Sequence, residues 1–453
     1  MRGTTKAIAA AASLVLAGAF TGCSAGAGDF VGGGSNTITV LMVNNPQMLE
    51  LQKLTAGTFT KQTGIHVRFV TKVEQDARDT ASTEFANQSG VYDVATLSNF
   101  EIPYYAKAGW ISDMESIAHD PAFDQADIIK PMTDALSYDG KVYAEPFYGE
   151  SSFLMYRKDI FAKLGITVPP DPTWSQVAQW AAKVDQTQSG MKGICLRGLA
   201  GWGDNLAPLT TVVNTMGGEW FDNHWNAQVD TGGFKKAANF YVDLVRQHGE
   251  PGAATFSFPQ CTNAMQQGKV AMWYDSTAGA GALEAPDSPV KGKIGYVAAP
   301  HDQTQNAGWL YTWAWAVEKA SPHQANAMKF VAWASSKQYE QLVERDTHSD
   351  TGGPTNVPAG KRVSTYSDPG YLKVAAAFAK PTLNAIENAP TKNPGVTPRP
   401  YSGIQFVGIP SFTDFGTSCA KLISSAIAGS ESTDAALASC QKLTQQAGDR
   451  QKK

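Results

Sequence analysis

The side chains in this chain that could do chemistry are amides, carboxylates and tryptophans standing where strands end. Asn44 and Asn45 follow one buried-strand pattern, and Ser98 and Asn99 follow another. Strand ends facing a crevice are where open α/β sheets bind ligands, although Asn is equally a helix cap or turn former. Trp202, held between Gly201 and Gly203, and the adjacent Asp204 occupy a loop after a strand. A large ring there is costly to order unless it packs on a ligand face or an opposing lobe. Asp275 ends a strand through Trp273 and precedes the small residues Ser276 to Ala282, which let a ligand approach the backbone closely. Its alternative role is a cap or turn. Trp309 opens an aromatic, β-prone stretch to Val317, with Trp313 and Trp315 on the same face, so one ring can bind while another is core. Tyr401 and Gln405 lie four apart and share a face if their segment is helical. Covalent and phosphate chemistry finds no support. The chain has no G-x-x-x-x-G-K-[ST] loop, no H-E-x-x-H and no G-x-S-x-G, and its seven histidines form no motif. The enzyme reading that survives is a secreted glycosidase using Glu150 and Asp275 as paired carboxylates.

The first 23 residues set the compartment. Arg2 and Lys6 precede an apolar run from Ala7 to Phe20 that ends in Thr21-Gly22-Cys23. A charged start, a short hydrophobic middle and a small-residue exit mark residues 1–22 as a secretory signal. The run falls short of the about 20 apolar residues a membrane span needs. Cys23 after Gly22 resembles the lipobox of bacterial lipoproteins, whose cysteine sulfur receives a diacylglycerol before the chain is cut ahead of it. Phe20 stands where that pattern usually has Leu, and ordinary cleavage with Cys23 as a bystander is the alternative. Residues 23–36, rich in Gly, Ala and Ser, read as a flexible tether. The protein is therefore expected at the extracytoplasmic face of the cell membrane, lipid-anchored, without ready access to ATP or NAD.

Losing Arg2 and Lys6 with the leader makes the remainder two charges more negative than the formal −4 of the whole chain. That argues against a nucleic-acid partner. The about 430 remaining residues exceed one ordinary hydrophobic core, so two or more lobes are expected. Eleven Trp and fifteen Tyr supply more rings than usual. Many must be core, but secreted proteins that bind sugars also use such faces against C–H groups. Cys195, Cys261, Cys419 and Cys440 show no C-x-x-C spacing, so zinc is not expected. In an exported protein they allow three disulfide pairings. Cys195–Cys261 and Cys419–Cys440 are favoured, the second closing a short loop between two helical patterns, with buried thiols as the alternative.

Strand and helix patterns alternate, which argues for α/β lobes. Strands are expected at Ile38–Val43, Ile65–Val70, Tyr92–Leu97, Lys141–Ala144, Phe153–Tyr156, Gly193–Leu196 and Val270–Tyr274. Helices are expected over Pro46–Thr63 with Gly64 as stop, Thr80–Gln88, Ser175–Val184, Phe234–His248 and His323–Ser335. Pro-rich segments at Pro354–Pro358 and Pro390–Pro400 read as loops or lobe crossings.

Several segments in order carry a resemblance. They are Asp139-Gly140-Lys141-Val142-Tyr143-Ala144 with Pro146, Glu150 with Met155-Tyr156-Arg157-Lys158-Asp159, Gln267-Gly268-Lys269-Val270-Ala271-Met272, and Phe330-Val331-Ala332-Trp333-Ala334-Ser335. The chain resembles the extracellular solute-binding proteins of bacterial ABC importers, family 1, the maltose-binding-like type, over almost its whole mature length. Within that family the likeness runs to the polyol binders, which take up mannitol, sorbitol and related alditols. It rests on Val43-Asn44-Asn45, Pro146-Phe147-Tyr148-Gly149-Glu150-Ser151-Ser152, Cys195-Leu196-Arg197-Gly198, Gly201-Trp202-Gly203, Trp309-Leu310-Tyr311-Thr312-Trp313 and Pro400-Tyr401 through Val407.

The resemblance implies two α/β lobes joined by a hinge, with the ligand trapped in the cleft between them. Residues 37–147 and 300–350 are read as lobe 1, and 148–299 and 351–453 as lobe 2. It implies no catalysis, no cofactor and no metal. The expected partners are a small-molecule polyol or sugar and an ABC permease in the membrane, with the protein itself a monomer. By the family pattern Glu150 reaches the cleft; a hinge salt bridge to Arg157 or Lys158 is its alternative. An alditol carries one hydroxyl per carbon and no charge, so its site needs carboxylates and amides in fixed directions and aromatic walls. Arg197 would then donate to hydroxyls or, more in keeping with its position, support Asp204. Monosaccharides and short oligosaccharides are the other ligands of the same reading. A lipoprotein adhesin or chaperone is the third functional class.

Overall fold

The computed structural model describes residues 36–187, 190–345, 360–391 and 393–452. The leader, Cys23 and the tether up to Ser35 lie outside the described residues, as does the first Pro-rich segment, Pro354–Pro358. The chain folds as two α/β lobes, each built on its own sheet. Strand β1 (Thr37–Val43) is buried along almost its whole length, as a parallel strand covered on both faces must be. It pairs in parallel with β2 (His66–Lys72) and β3 (Val94–Ser98). The sheet is completed by two later strands, β4 (Glu145–Glu150) and β9 (Tyr311–Val317), in the order β2-β1-β3-β9-β4. Both additions are antiparallel to their neighbours, with a bulge between Trp313 and Ala314.

The second sheet runs β8-β5-β7-β6, where β5 is Ser152–Arg157, β6 Lys192–Cys195, β7 Val270–Ser276 and β8 Ile294–Ala298. Strands β4 and β5 belong to different sheets and are separated by Ser151 alone, so Glu150 stands at a crossing between lobes. The chain returns through residues 299–310 into β9.

Helix α1 (Pro46–Thr55) starts where Asn45 Oδ1 accepts the Met48 N–H at 2.9 Å, with Pro46 at the start of the helix, where a missing N–H costs nothing. It continues through a π turn, Ala56–Thr60, to stop at Gly64 in the left-handed region. Helix α2 (Glu74–Asn87) begins six residues ahead of the expected Thr80, because Glu74 and Asp76 favour a helix N-terminus that apolar periodicity does not mark. Helix α3 (Leu206–Thr215) is buried on every side and so shows no amphipathic stripe in sequence. Helix α4 (Gly232–His248) packs on two C-terminal helices, α5 (Phe412–Ala428) and α6 (Thr433–Gln451). Cys195 is bonded to Cys261, and Cys419 to Cys440 across α5 and α6.

Two local expectations are corrected. Lys141–Ala144 contributes only Lys141–Val142, paired with Ser137–Tyr138 in a small hairpin. The segment from Tyr401 to Gln405 is irregular rather than helical, so those two side chains do not share a helix face.

Candidate ligand-binding cleft

Between the lobes lies a cleft of about 420 Å³, in the range of small-molecule sites. The five-stranded lobe lines it with Asn44, Asn45, Gln47, Glu74, Tyr148, Glu150, Tyr311 and Trp313. From the other side come Arg197, Trp202, Gly203, Asp204, Ser257, Phe258 and Ser276, with Trp309 and Gln405 completing the wall.

Strand ends deliver most of these groups. Asn44 and Asn45 follow β1; Asn45 both caps α1 and donates from Nδ2 to the Tyr148 hydroxyl at 3.2 Å. Cap and cleft residue are thus the same side chain. Glu150 ends β4, and burial pushes its carboxyl up to about 7 although Ser276 and Arg197 pull it down. Of the two hinge partners considered for Glu150, Arg157 pairs instead with Asp159 at 2.7 Å. The loop carrying Trp202 and Asp204 leans across the cleft. A Cβ on Gly203 would lie 2.8 Å from Glu74 Oε1 of the opposite lobe, so a larger residue there would push that carboxylate aside. Asp204 accepts from the Ser257 hydroxyl, and burial together with the Glu74 charge raises its pKa.

Arg197 is the cation of the site. Burial opposes its charge, but Asp275 outweighs that and raises its pKa. Asp275 grips the guanidinium at two points, Nε to Oδ2 at 2.9 Å and Nη2 to Oδ1 at 2.5 Å, while Nη1 donates to the Gly203 carbonyl at 2.9 Å. Asp275 also accepts from Trp273 Nε1 at 3.0 Å and from the Ser276 N–H at 2.6 Å. It is fully buried and does not line the cleft. The expected roles are therefore exchanged: Arg197 faces the cleft, and Asp275 holds Arg197.

Three further expected residues stand elsewhere. Ser98 is fully buried and donates to Glu101 from its backbone N–H at 2.9 Å and from its hydroxyl. Asn99 donates to the Leu310 carbonyl at 3.3 Å and accepts the Thr312 N–H at 3.0 Å, so it fastens the strand that presents Tyr311. Tyr401 accepts the Trp220 N–H at 3.0 Å and packs on Phe221 and Trp225, away from the cleft. Gln405 does line the cleft: its Nε2 donates to the Leu310 carbonyl at 3.0 Å, and its Oε1 is buried with no donor among the described residues.

The aromatic wall is built by Trp202, Trp309 and Trp313. Trp315, on the same strand face, packs on Phe147 and Phe330 instead and is core. The Nε1–H groups of Trp202 and Trp309 are buried without an acceptor among the described residues. Buried donors and acceptors left open along one cavity suit a ligand rich in hydroxyls. Glu74, Tyr148 and Tyr311 were not anticipated as site residues. Glu74 lies in a charged stretch without apolar periodicity, and its signal is the acidic first turn of α2.

Two sheets, a crossing between them and a lined cleft at the strand ends define a two-lobe ligand-binding protein. The chain belongs to the bacterial extracellular solute-binding protein family, whose profile matches residues 44–341. It is 38% identical over 413 residues to the mannitol-binding protein of Pseudomonas aeruginosa, covering 91% of this chain and 93% of that one. A solved ABC transporter solute-binding protein from Agrobacterium vitis S4, with bound D-mannitol, superposes with a TM-score of 0.86 at 40% identity over 92% of this chain and 99% of the other. The ribitol complex of a solute-binding protein from Agrobacterium radiobacter K84, at 23% identity, shares the fold with a TM-score of 0.78 over 91% and 98%. Among the described residues no helix is long and apolar enough to cross a membrane, and no His, Cys, Asp and Glu cluster suits a metal ion.

Proposed function

We propose that this protein captures a linear polyol, mannitol, sorbitol or a related alditol, and presents it to a membrane permease of the ABC-importer class. The observation that carries this is the cleft lining. Arg197, Glu150, Asp204 and Gln405 offer directed hydrogen bonds between indole walls, the pairing an uncharged chain of hydroxyls and C–H groups requires. The Pseudomonas relative and the Agrobacterium vitis complex, both similar along more than nine-tenths of this chain, concern mannitol. Binding rather than hydrolysis is supported by Asp275, whose carboxylate is occupied by N–H donors and kept from the cleft, which removes the partner a Glu150-based glycosidase needs.

The lobes in this reading are 37–150 with 300–350, and 151–299 with 351–453: the first crossing is moved from Phe147 to Ser151, because β4 runs to Glu150 within the five-stranded sheet. Residues 1–22 are removed, Cys23 takes the lipid, and residues 23–36 tether a monomer to the extracytoplasmic membrane face. The test is isothermal titration calorimetry on the chain from Asn36 onward, a compact unit by itself, with mannitol, sorbitol, arabitol, xylitol, glucose and maltose. Micromolar or tighter binding of alditols alone is the expected result. Binding only of sugars would move the ligand to mono- or oligosaccharides within the same importer class. No heat with any of them would sink the reading.

A further inference from the structure

Arg78 stands directly behind the cleft and touches it through other residues. It lies on α2 and is 7% exposed. Its Nε and Nη2 donate to Glu74 Oε1 at 3.2 and 2.8 Å. Nη1 donates to Glu101, and Nη2 to the Tyr311 hydroxyl. The guanidinium carbon also sits over two indoles, 4.5 Å from the Trp202 ring centre and 4.8 Å from that of Trp313. Glu74, Tyr311, Trp202 and Trp313 all line the cleft; Arg78 itself does not. Glu74, Tyr311 and Trp313 belong to the five-stranded lobe, whereas Trp202 comes from the loop after β6 of the other lobe.

We propose that Arg78 is a positioning residue that latches the two lobes over the ligand: it holds Glu74 and Tyr311 in place while stacking on Trp202 from across the cleft. This rests on reading the cleft as the ligand site. Rotating the lobes apart draws Trp202 off the guanidinium, so the stack belongs to the closed arrangement. Contacts made in only one state set how far a ligand shifts the equilibrium toward it. Phe100, 4.8 Å from the Trp202 ring, adds an apolar contact to the same closure. A guanidinium is required for the whole set. Its planar fork can stack on rings while donating in its plane to two carboxylates and a hydroxyl, whereas a lysine ammonium is a point charge with no face. Such a latch acts on ligand escape, and affinity differences among variants of one interface reside mostly in dissociation.

The experiment is stopped-flow binding of D-mannitol to wild type, Arg78→Lys and the double variant Arg78→Met/Glu101→Gln. The double variant removes the cation together with one carboxylate, which limits the unpaired charge left buried. Thermal melts of the unliganded proteins report folding. The latch predicts a dissociation rate at least tenfold faster in both variants, an association rate within threefold of wild type, and a near-wild-type melt for the double variant. It also predicts a smaller change in tryptophan emission on ligand addition. Dissociation within twofold of wild type in either folded variant overturns the proposal, as does a loss carried by association alone. A wild type that binds no D-mannitol would fail the reading of the cleft and the latch with it; normal wild-type binding with unchanged dissociation in the variants fails the latch alone.

Discussion

Asp275→Asn should separate what holds the site from what touches the ligand. The carboxylate is fully buried and accepts from four N–H groups, two of Arg197 and one each of Trp273 and Ser276. Asparagine keeps the shape but loses the charge and places an NH₂ among donors. Arg197, only 8% exposed, is then left without its counter-charge. Breaking a buried ion pair by losing one partner costs about 3–5 kcal/mol of stability. Binding suffers separately. A guanidinium has five N–H donors; Asp275 and Gly203 occupy three, leaving two for a ligand. A hydrogen bond to a charged group is worth about 1.5–3 kcal/mol, so an Arg197 that is no longer aimed should weaken binding by about ten- to hundredfold. Calorimetry with D-mannitol and thermal unfolding measure the two losses. In Arg197→Met/Asp275→Asn both charges go while a side-chain oxygen stays to accept from Trp273 and Ser276, so stability should recover relative to Asp275→Asn alone while affinity does not. Affinity within threefold of wild type in folded Asp275→Asn would refute the claim that Asp275 acts through Arg197.

Three further outcomes follow from the same geometry. Burial raises the Glu145 carboxyl from its ordinary 4.5 to about 8, against Arg362, Gln125 and Lys361, which pull it down. The folded state therefore holds the proton more tightly than the unfolded one, and stability present below pH about 4.5 is lost as pH rises through about 8, by at most about 5 kcal/mol. Glu145→Gln should flatten that slope and melt higher than wild type at pH 8; calorimetric scans at pH 5 and pH 8 showing the same slope in both proteins would contradict this. Hydroxyls donate more strongly to a carboxylate than to a carboxylic acid. With Glu150 titrating at about 7, alditol affinity should climb from pH 5 to 7, level off above it, and become flat in Glu150→Gln; a pH-independent wild type would count against Glu150 as an acceptor. Tyr401→Phe loses the Trp220 N–H acceptor and should cost about 1 kcal/mol of stability while leaving affinity within twofold. A tenfold loss of affinity would return Tyr401 to the site.

The sheets were readable where their strands are apolar runs, as at Ile38–Val43 and Val270–Tyr274, or alternate, as at Ile65–Val70. Strand β4 was not, since Pro146 and Gly149 break any such run; it is tolerated as an edge strand opposite a bulge. The lining of the cleft was legible where backbone placement alone decides it, as at Asn44, Asn45 and the glycine-flanked Trp202, and at Glu150 through the family resemblance. It was not legible where partners decide. Neighbouring polar groups turn Ser98 and Asn99 inward, and sequence cannot tell which member of the Arg197 and Asp275 pair faces the ligand. Glu74 and Arg78 were hidden for a different reason. Their turn of helix is organised by charge, so the apolar spacing that reveals helices is missing there.

The most direct measurement is a crystal structure of the chain from Asn36 onward grown with D-mannitol. The account predicts one alditol in the cleft, with its hydroxyls on Arg197, Glu150 and Asp204 and its carbon chain against Trp309. A ligand bound elsewhere, or protein that crystallises with an empty cleft at saturating alditol, would contradict it.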